Sequence, residues 1–292
     1  MRFRIRHVTL YRYERPVMLA SHVFRMQPHG ESLRLDDFKI SMYPPPAMIS
    51  PGFDDGGNPV HTAVFDGEVS EFRVAVLSEG ETFPAPVPVA APGAFPLPPY
   101  YGEAIGTLWK YRVVDPAEGD VAALARAVAM DSAGDAYAFL QGLSRALFDR
   151  VRNVSRLTGE PFAPEVTLRE GRGSCRDFAV LFIACCRHQG LAARFVSGYI
   201  PAPAGESQHM HAWAEAHLPG FGWTAWDATQ GGPAGESHIP VAASAEPADA
   251  APITGGYRGL SVSEMSVELS VEVGRDGGSR MADGGQRTAA VD

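Results

Sequence analysis

Seven prolines crowd positions 84–99 of this 292-residue chain: Pro84, Pro86, Pro88, Pro92, Pro96, Pro98 and Pro99. Each removes a backbone donor and fixes φ, so neither a helix nor a central strand can cross the window. The pattern predicts an extended linker over 83–105 and divides the chain into two parts. A chain of this length accommodates one large domain or two modest ones and buries roughly 75% of its unfolded surface.

The two parts differ in hydrophobic period. Before the linker, residues 1–82 read as a β-rich domain. Phe3, Ile5, Val8, Leu10, Tyr11 and Tyr13 supply apolar and aromatic residues at strand spacing. Asp54-Asp55-Gly56-Gly57-Asn58-Pro59 is a dense turn signal. Val60 to Phe65 and Phe72 to Leu77 read as strands, with Asp66-Gly67 as a hairpin turn between them. Short strands with this punctuation suggest a small sandwich or barrel. After the linker the period turns helical. Val121 to Val128 and Ala136 to Val151 carry apolar residues three and four apart. Strands are predicted over 191–200, 210–218 and 223–227. A Gly/Pro/Ala-rich stretch over 230–256 follows, then a last alternating strand, Ser266 to Val273. This second unit is expected to span 106–273, with a disordered tail over 274–292.

Charge and cysteine usage exclude several function classes. The net charge is −9, which does not suit a nucleic-acid or anionic-membrane partner. No run of 18 apolar residues predicts a spanning helix. Met1 to Arg6 alternates charge with apolar residues and reads as a strand, not as the apolar centre of a signal peptide. Three cysteines are too few for a disulfide framework. Cys185 and Cys186, adjacent in an apolar run, read as core filler. A cytoplasmic enzyme with reduced thiols, without cofactor or metal, is the expectation.

Cys175 stands apart from that pair. Gly173-Ser174 is a helix-start signal with Ser174 as N-cap. Asp177 falls at the third helical position, where its carboxylate reaches back to the cap. Cys175 becomes the first helical residue. There the unpaired N–H groups and the positive dipole end favour a thiolate and can donate to an oxyanion. Gly190 is placed to end the helix. His211 lies on a strand that puts His211, Trp213, Glu215 and His217 on one face and Ala212, Ala214, Ala216 and Leu218 on the other. Trp223 to Asp227 returns as the partner strand, and any register with an even pair sum places His211 and Asp227 on one face. Thiol, imidazole and carboxylate are the parts of a nucleophilic triad. Each residue also has a plain structural alternative: a buried cap residue for Cys175, a surface strand histidine for His211. Asp177 reads as a cap, with a catalytic acid as the alternative, and Ser174 and Asp177 are also candidate oxyanion or cleft residues. Trp213 reads as an oxyanion donor or as packing, Arg194 as an ion-pair or cleft residue, and His209 as a strand-edge or substrate-contact residue.

Four segments carry a family resemblance: Gly173 to Ala179, Gly190 to Tyr199, His211 to Glu215 and Trp223 to Thr229. They resemble the signature blocks of the bacterial transglutaminase-like superfamily, many of whose members are described as candidate cysteine proteases. Tyr11-Arg12-Tyr13, Pro16-Val17, His22, Arg25, Pro28 and Asp55-Gly56-Gly57-Asn58 are similar to the β-rich N-terminal region of these proteins. The resemblance covers about residues 1–273. It implies an α+β chain: a β-sandwich-like domain followed by a papain-like, transglutaminase-like core whose helices pack on an antiparallel sheet. It also implies Cys175 as nucleophile, His211 as base and Asp227 as orienting acid, acting on a peptide or protein substrate. One departure stands out. Members often carry Gly-Arg-Asp-Tyr shortly after the triad aspartate, and the matching region, Ala243 to Pro252, lacks that Arg and Tyr.

The leading expectation is a thiol-dependent hydrolase of an amide, peptide or isopeptide bond, working through a thioester. An amine-accepting transglutaminase shares the same triad. A silent peptide-binding module is an alternative of another class. A metal site would draw on Cys175, His209, His211 and Asp227. Oligomeric state stays open.

Overall fold

The computed structural model describes residues 1–88, 93–114, 119–156, 158–203 and 205–274. The expected tail beyond Gly274 lies outside these residues.

The first strand sets up both halves of the molecule. β1 (Arg2–Leu19) alternates exposed and buried positions along its first turns, so Phe3 and Ile5 point to one side. It pairs antiparallel with β6 (Glu68–Thr82) on one edge, from Arg2 opposite Glu81 to Arg12 opposite Glu71. A second sheet contains β2 (His22–Phe24), β4 (Met48–Phe53) and β5 (Pro59–Val64), while β3 (Leu33–Tyr43) extends the first sheet beside β6. The two sheets close over Phe24, Met26, Ala63, Phe72, Val74 and Val76, all 2% exposed or less.

This is the expected sandwich, with one correction. Asp66-Gly67 joins β5 to β6, and those strands belong to different sheets. The turn crosses between layers and does not close a hairpin. Gly67 takes φ 78°, the left-handed region that a tight turn needs.

The second unit packs helices on a sheet. The proline-rich segment leads into a short α1 (Ile105–Leu108), then α2 (Asp120–Asp131) and α3 (Ala136–Arg150). β7 (Arg152–Asn153) pairs in parallel with β8 (Arg172–Gly173) across α4 (Pro164–Glu170), and α5 (Cys175–His188) follows directly. β9 (Ala193–Tyr199), β10 (Met210–Leu218), β11 (Gly222–Asp227), β12 (Gly232–Pro233) and β13 (Ile239–Ser244) form an antiparallel sheet in the order β12-β11-β10-β9-β13. The small face of β10 decides the packing. Ala212, Ala214 and Ala216 are buried and let α5 lie close, with Phe178, Phe182, Cys185 and Cys186 in the same core.

Three expectations change here. The stretch over 230–256 contains β13, which pairs with β9, because Ile239 and Val241 find an apolar surface that local composition does not announce. Residues 253–274 do not belong to the second unit. β14 (Ile253–Thr254) pairs with β2, while β15 (Tyr257–Arg258) and β16 (Ser263–Gly274) pair with β1. β1 leaves a free edge that twelve C-terminal residues fill, from Arg2 opposite Gly274 to Tyr13 opposite Ser263. The proline-rich segment is also not a loose tether. The N–H of Leu97 bonds to Gly134, that of Gly93 to Asp135, and the Tyr101 hydroxyl bridges Ala192 and His217.

The two units meet through an apolar seam. Phe3 and Ile5 pack on Tyr199, Ile239 and Val241, all at most 4% exposed. Burial of each such side chain contributes roughly 1.5–3 kcal/mol. The polar group in the seam is satisfied: His7 Nδ1 meets the Tyr199 hydroxyl at 2.9 Å and Nε2 meets Thr9 Oγ1 at 3.2 Å. Burial pushes His7 down to about 4, so it sits there as a neutral ring. Ile5→Ala is expected to lower stability by about 2–5 kcal/mol. Urea unfolding followed by far- and near-UV circular dichroism should show one shifted transition. Two separated transitions would mean that the seam does not couple the units.

Candidate active site

Ser174 caps α5 with extended backbone, and Cys175 follows as the first helical residue. The cap is anchored by Asp177, whose side chain is fully buried. Its Oδ2 accepts from the Ser174 N–H at 2.7 Å and the Ser174 hydroxyl at 2.8 Å. Its Oδ1 accepts from Arg156 Nη2 at 2.6 Å and the Phe162 N–H at 2.7 Å. Four donors explain how a carboxylate tolerates complete burial. Asp177 therefore holds the start of α5 against Arg156 and Phe162. Arg176 strengthens the hold by donating to the carbonyls of Arg156 and Gly159 at 2.6 and 2.7 Å.

His211 enters from the start of β10. Ala214 lies opposite Trp226, so the register places His211 diagonal to Asp227 on one face, as the parity of the spacing requires. His211 Nε2 donates to Asp227 Oδ2 at 2.8 Å. That leaves Nδ1 for the thiol, and His211 and Cys175 are hydrogen-bonded to each other. The backbone N–H of Ala212 also donates to the sulfur.

The electrostatics follow. Burial pushes the Cys175 thiol up, but the His211 hydrogen bond and charge, the Ala212 N–H and Arg176 outweigh it, so the net shift is downward. For His211, burial disfavours the charged ring. Asp227 and the thiol outweigh that and raise it to about 9. Asp227 resists burial and stays well below the usual carboxylate range, held by His211, His238 and Thr229. The two core cysteines behave in the opposite way. Burial raises Cys185 to about 12 and Cys186 well above its ordinary value. Of the three thiols, Cys175 alone is shifted downward.

Asp227 has more partners than the sequence indicates. Its Oδ1 accepts from the Thr229 N–H at 2.9 Å and the Thr229 hydroxyl at 2.6 Å. Its Oδ2 accepts a second imidazole, His238 Nε2, at 3.0 Å. His238 escapes the sequence reading because it sits in the Gly/Pro/Ala-rich stretch, apart from any motif. Its signal is weak: one histidine immediately before the apolar run Ile239-Pro240-Val241.

Trp213 is buried at 2% exposure. Its ring stacks on His211 at 6.3 Å between centroids and meets His238 edge-on at 5.1 Å. Gly198 makes room for it, since a Cβ there would come within 2.6 Å of Trp213 Cη2. His209 is exposed ahead of β10 and lies outside this network. Glu215 pairs with Arg194 at 2.6 Å, and that guanidinium covers the Trp223 ring at 4.2 Å. Among the described residues, the group whose donor atoms could hold a metal is His211, Asp227 and His238, within 4.8 Å of one another. It includes neither Cys175 nor His209. The region lacking the Gly-Arg-Asp-Tyr string continues from β13 beside β9, where Ser197 Oγ donates to the Ala250 carbonyl at 2.6 Å.

Residues 122–228 match the transglutaminase-like superfamily, and residues 3–81 match the bacterial transglutaminase-like N-terminal region. An uncharacterised protein of Mycobacterium leprae is 32% identical over 110 residues, covering 36% of this chain and 39% of the relative. One from Mycobacterium tuberculosis strain H37Rv is 37% identical over 113 residues, covering 35% of each. The match thus spans little more than a third of these relatives' length. A solved structure from Cytophaga hutchinsonii, described as a candidate cysteine protease, aligns with a TM-score of 0.67 at 22% identity. It covers 93% of this chain and 90% of that one, and at this identity the likeness is one of fold.

Gly198→Ala is expected to cost about 1–3 kcal/mol or more, because the new methyl presses on the Ile239 backbone carbonyl as well as on Trp213. Trp213→Phe in the same background should recover part of that loss. A double-mutant cycle in urea checks it, and strict additivity would mean that the two positions do not press on each other.

Proposed function

We propose that this chain is a thiol-dependent acyl-transfer enzyme that hydrolyses an amide, peptide or isopeptide bond. The observation that carries the reading is the hydrogen-bonded series Asp227–His211–Cys175, set at the start of a helix and ending on a thiol held below its ordinary value. Cys175 as a residue is only partly buried, which supports access for a substrate.

The chemistry follows from the positions of the groups. The Cys175 thiolate attacks the substrate carbonyl carbon, and the C=O electron pair moves to oxygen. The Cys175 N–H, in the first turn and without a helical acceptor of its own, is placed to donate to that oxyanion. The His211 Nδ1 proton passes to the leaving nitrogen, the C–N bond breaks, and a thioester remains. A water then gives a proton to Nδ1 as its oxygen attacks the thioester. Collapse releases the acid and restores the thiolate beside an imidazolium. Asp227 stays ionised throughout, orienting the ring and balancing its charge. An amine in place of water would form a new amide by the same steps.

The test is iodoacetamide alkylation of the native protein, tracked by peptide mass spectrometry, with Cys185 and Cys186 as internal controls. Cys175 alone should label rapidly at pH 6, and the fast phase should vanish in His211→Ala. From pH 6 to 8 its rate should rise less steeply than that of an ordinary thiol, because His211, raised to about 9, favours the thiolate beside it across this range. An ordinary thiol with a pKa of about 8.5 gains nearly tenfold in thiolate per pH unit over most of that range. Slow labelling of Cys175, unchanged in His211→Ala, would overturn the reading and leave a peptide-binding module. Given fast labelling, a peptide screen with and without an added primary amine separates hydrolysis from amine transfer.

A further inference from the structure

We propose that His238 is a positioning residue for the Asp227–His211–Cys175 series, and that the N-terminal sandwich holds it in place. The inference rests on the proposed function and gives the N-terminal region a role in that site.

The His238 ring is fixed in one tautomer. The Gly235 N–H lies 3.1 Å from Nδ1, and an N–H can only donate, so Nδ1 carries a lone pair. The ring proton is therefore on Nε2, aimed at Asp227 Oδ2 at 3.0 Å. That same oxygen accepts His211 Nε2 at 2.8 Å. With Thr229 occupying Oδ1 twice, His238 completes four donors around the carboxylate. Two on each oxygen fix its rotation about the Cβ–Cγ bond, and with it the direction in which His211 Nδ1 faces the sulfur. The ring cannot easily drift, since its side chain is 4% exposed and packs edge-on against Trp213.

What holds His238 comes mostly from the other unit. Thr82, the last residue of β6, donates its hydroxyl to the Glu236 carbonyl at 2.7 Å, two residues before His238. The His29 N–H donates to the Pro240 carbonyl at 3.1 Å, two residues after it. Ile239 and Val241 lie in the seam with Phe3 and Ile5. Further along β13, Asn58 clamps Ala243 in both directions: Nδ2 donates to its carbonyl at 3.0 Å and Oδ1 accepts its N–H at 2.7 Å. Asn58 is aligned by Asp54, and Asp54 by Arg25 at 2.8 Å. Gly56 is required beside this clamp, because a Cβ there would fall 2.8 Å from Asn58 Nδ2 and 2.9 Å from the Ala243 carbonyl. Arg25 and the Asp55-Gly56-Gly57-Asn58 turn, noted in the sequence without a role, thus grip the strand that carries His238.

The experiment uses the full chain and the same alkylation at pH 6, comparing wild type, His238→Leu, His238→Gln, Thr82→Val and His211→Ala. Protection of Cys185 and Cys186 reports the fold in every variant. His238→Leu removes the donor and should slow Cys175 labelling by about tenfold or more. His238→Gln places an amide N–H where Nε2 was and should stay within about threefold of wild type, as expected when one donor replaces another. Thr82→Val, outside the site, should fall between them. A merely structural histidine would not be rescued by glutamine in this order. His238→Leu labelling at the wild-type rate overturns the proposal, as does His238→Gln slowed equally while the core cysteines stay protected. If His238→Leu exposes the core cysteines, Thr82→Val decides: slowed labelling supports the coupling and an unchanged rate overturns it. Fast wild-type labelling that depends on His211 but not on His238 rejects this inference alone. Slow wild-type labelling rejects the proposed function as well.

Discussion

The Asp227 carboxylate holds its negative charge at 1% side-chain exposure. An ionised group that deep costs several kcal/mol unless donors surround it. Four hydrogen bonds meet that demand here, from Thr229 twice, His211 and His238. Each comes from a different constraint. Thr229 is local, two residues along the chain. His211 is supplied by the neighbouring strand in register. His238 arrives from the far edge of the sheet, on a segment gripped by another unit. This buried charge therefore ties together β10, β11, the approach to β13 and, through that approach, the N-terminal sandwich.

A second buried carboxylate does complementary work. Asp177 is also four-coordinate, but its partners are a helix cap and a loop. It sets where α5 begins, and so where the Cys175 sulfur stands. Asp227 sets where the imidazole stands. The sulfur and the ring meet because α5 packs on the alanine face of β10, where small side chains allow close approach. An error at either carboxylate would part the two groups without touching either one.

Much of this was readable in the chain. Ser174, Asp177 and Gly190 mark the ends of α5 by capping chemistry that acts within one turn. The alternation from His211 to Leu218 separates a small apolar face from a polar one, and the parity of the spacing already places His211 and Asp227 on the same side. The strands of residues 1–82 follow from their own alternation. The errors have one cause. Asp66-Gly67 looks like a hairpin turn locally, yet its strands go to different sheets. The strand near the C-terminus alternates as expected but pairs with β1. The segment carrying His238 reads as loop because its pairing partner, β9, is some forty residues away.

The sequence by itself determined the local elements, their ends and the residue types able to do thiol chemistry, because period, caps and turns act over a few residues. Only the tertiary structure decided which distant edges pair, which face of the sandwich covers β13, and that a second histidine reaches Asp227. Those outcomes depend on long-range burial of apolar faces and on satisfying one buried charge, and neither leaves a periodic trace in the chain.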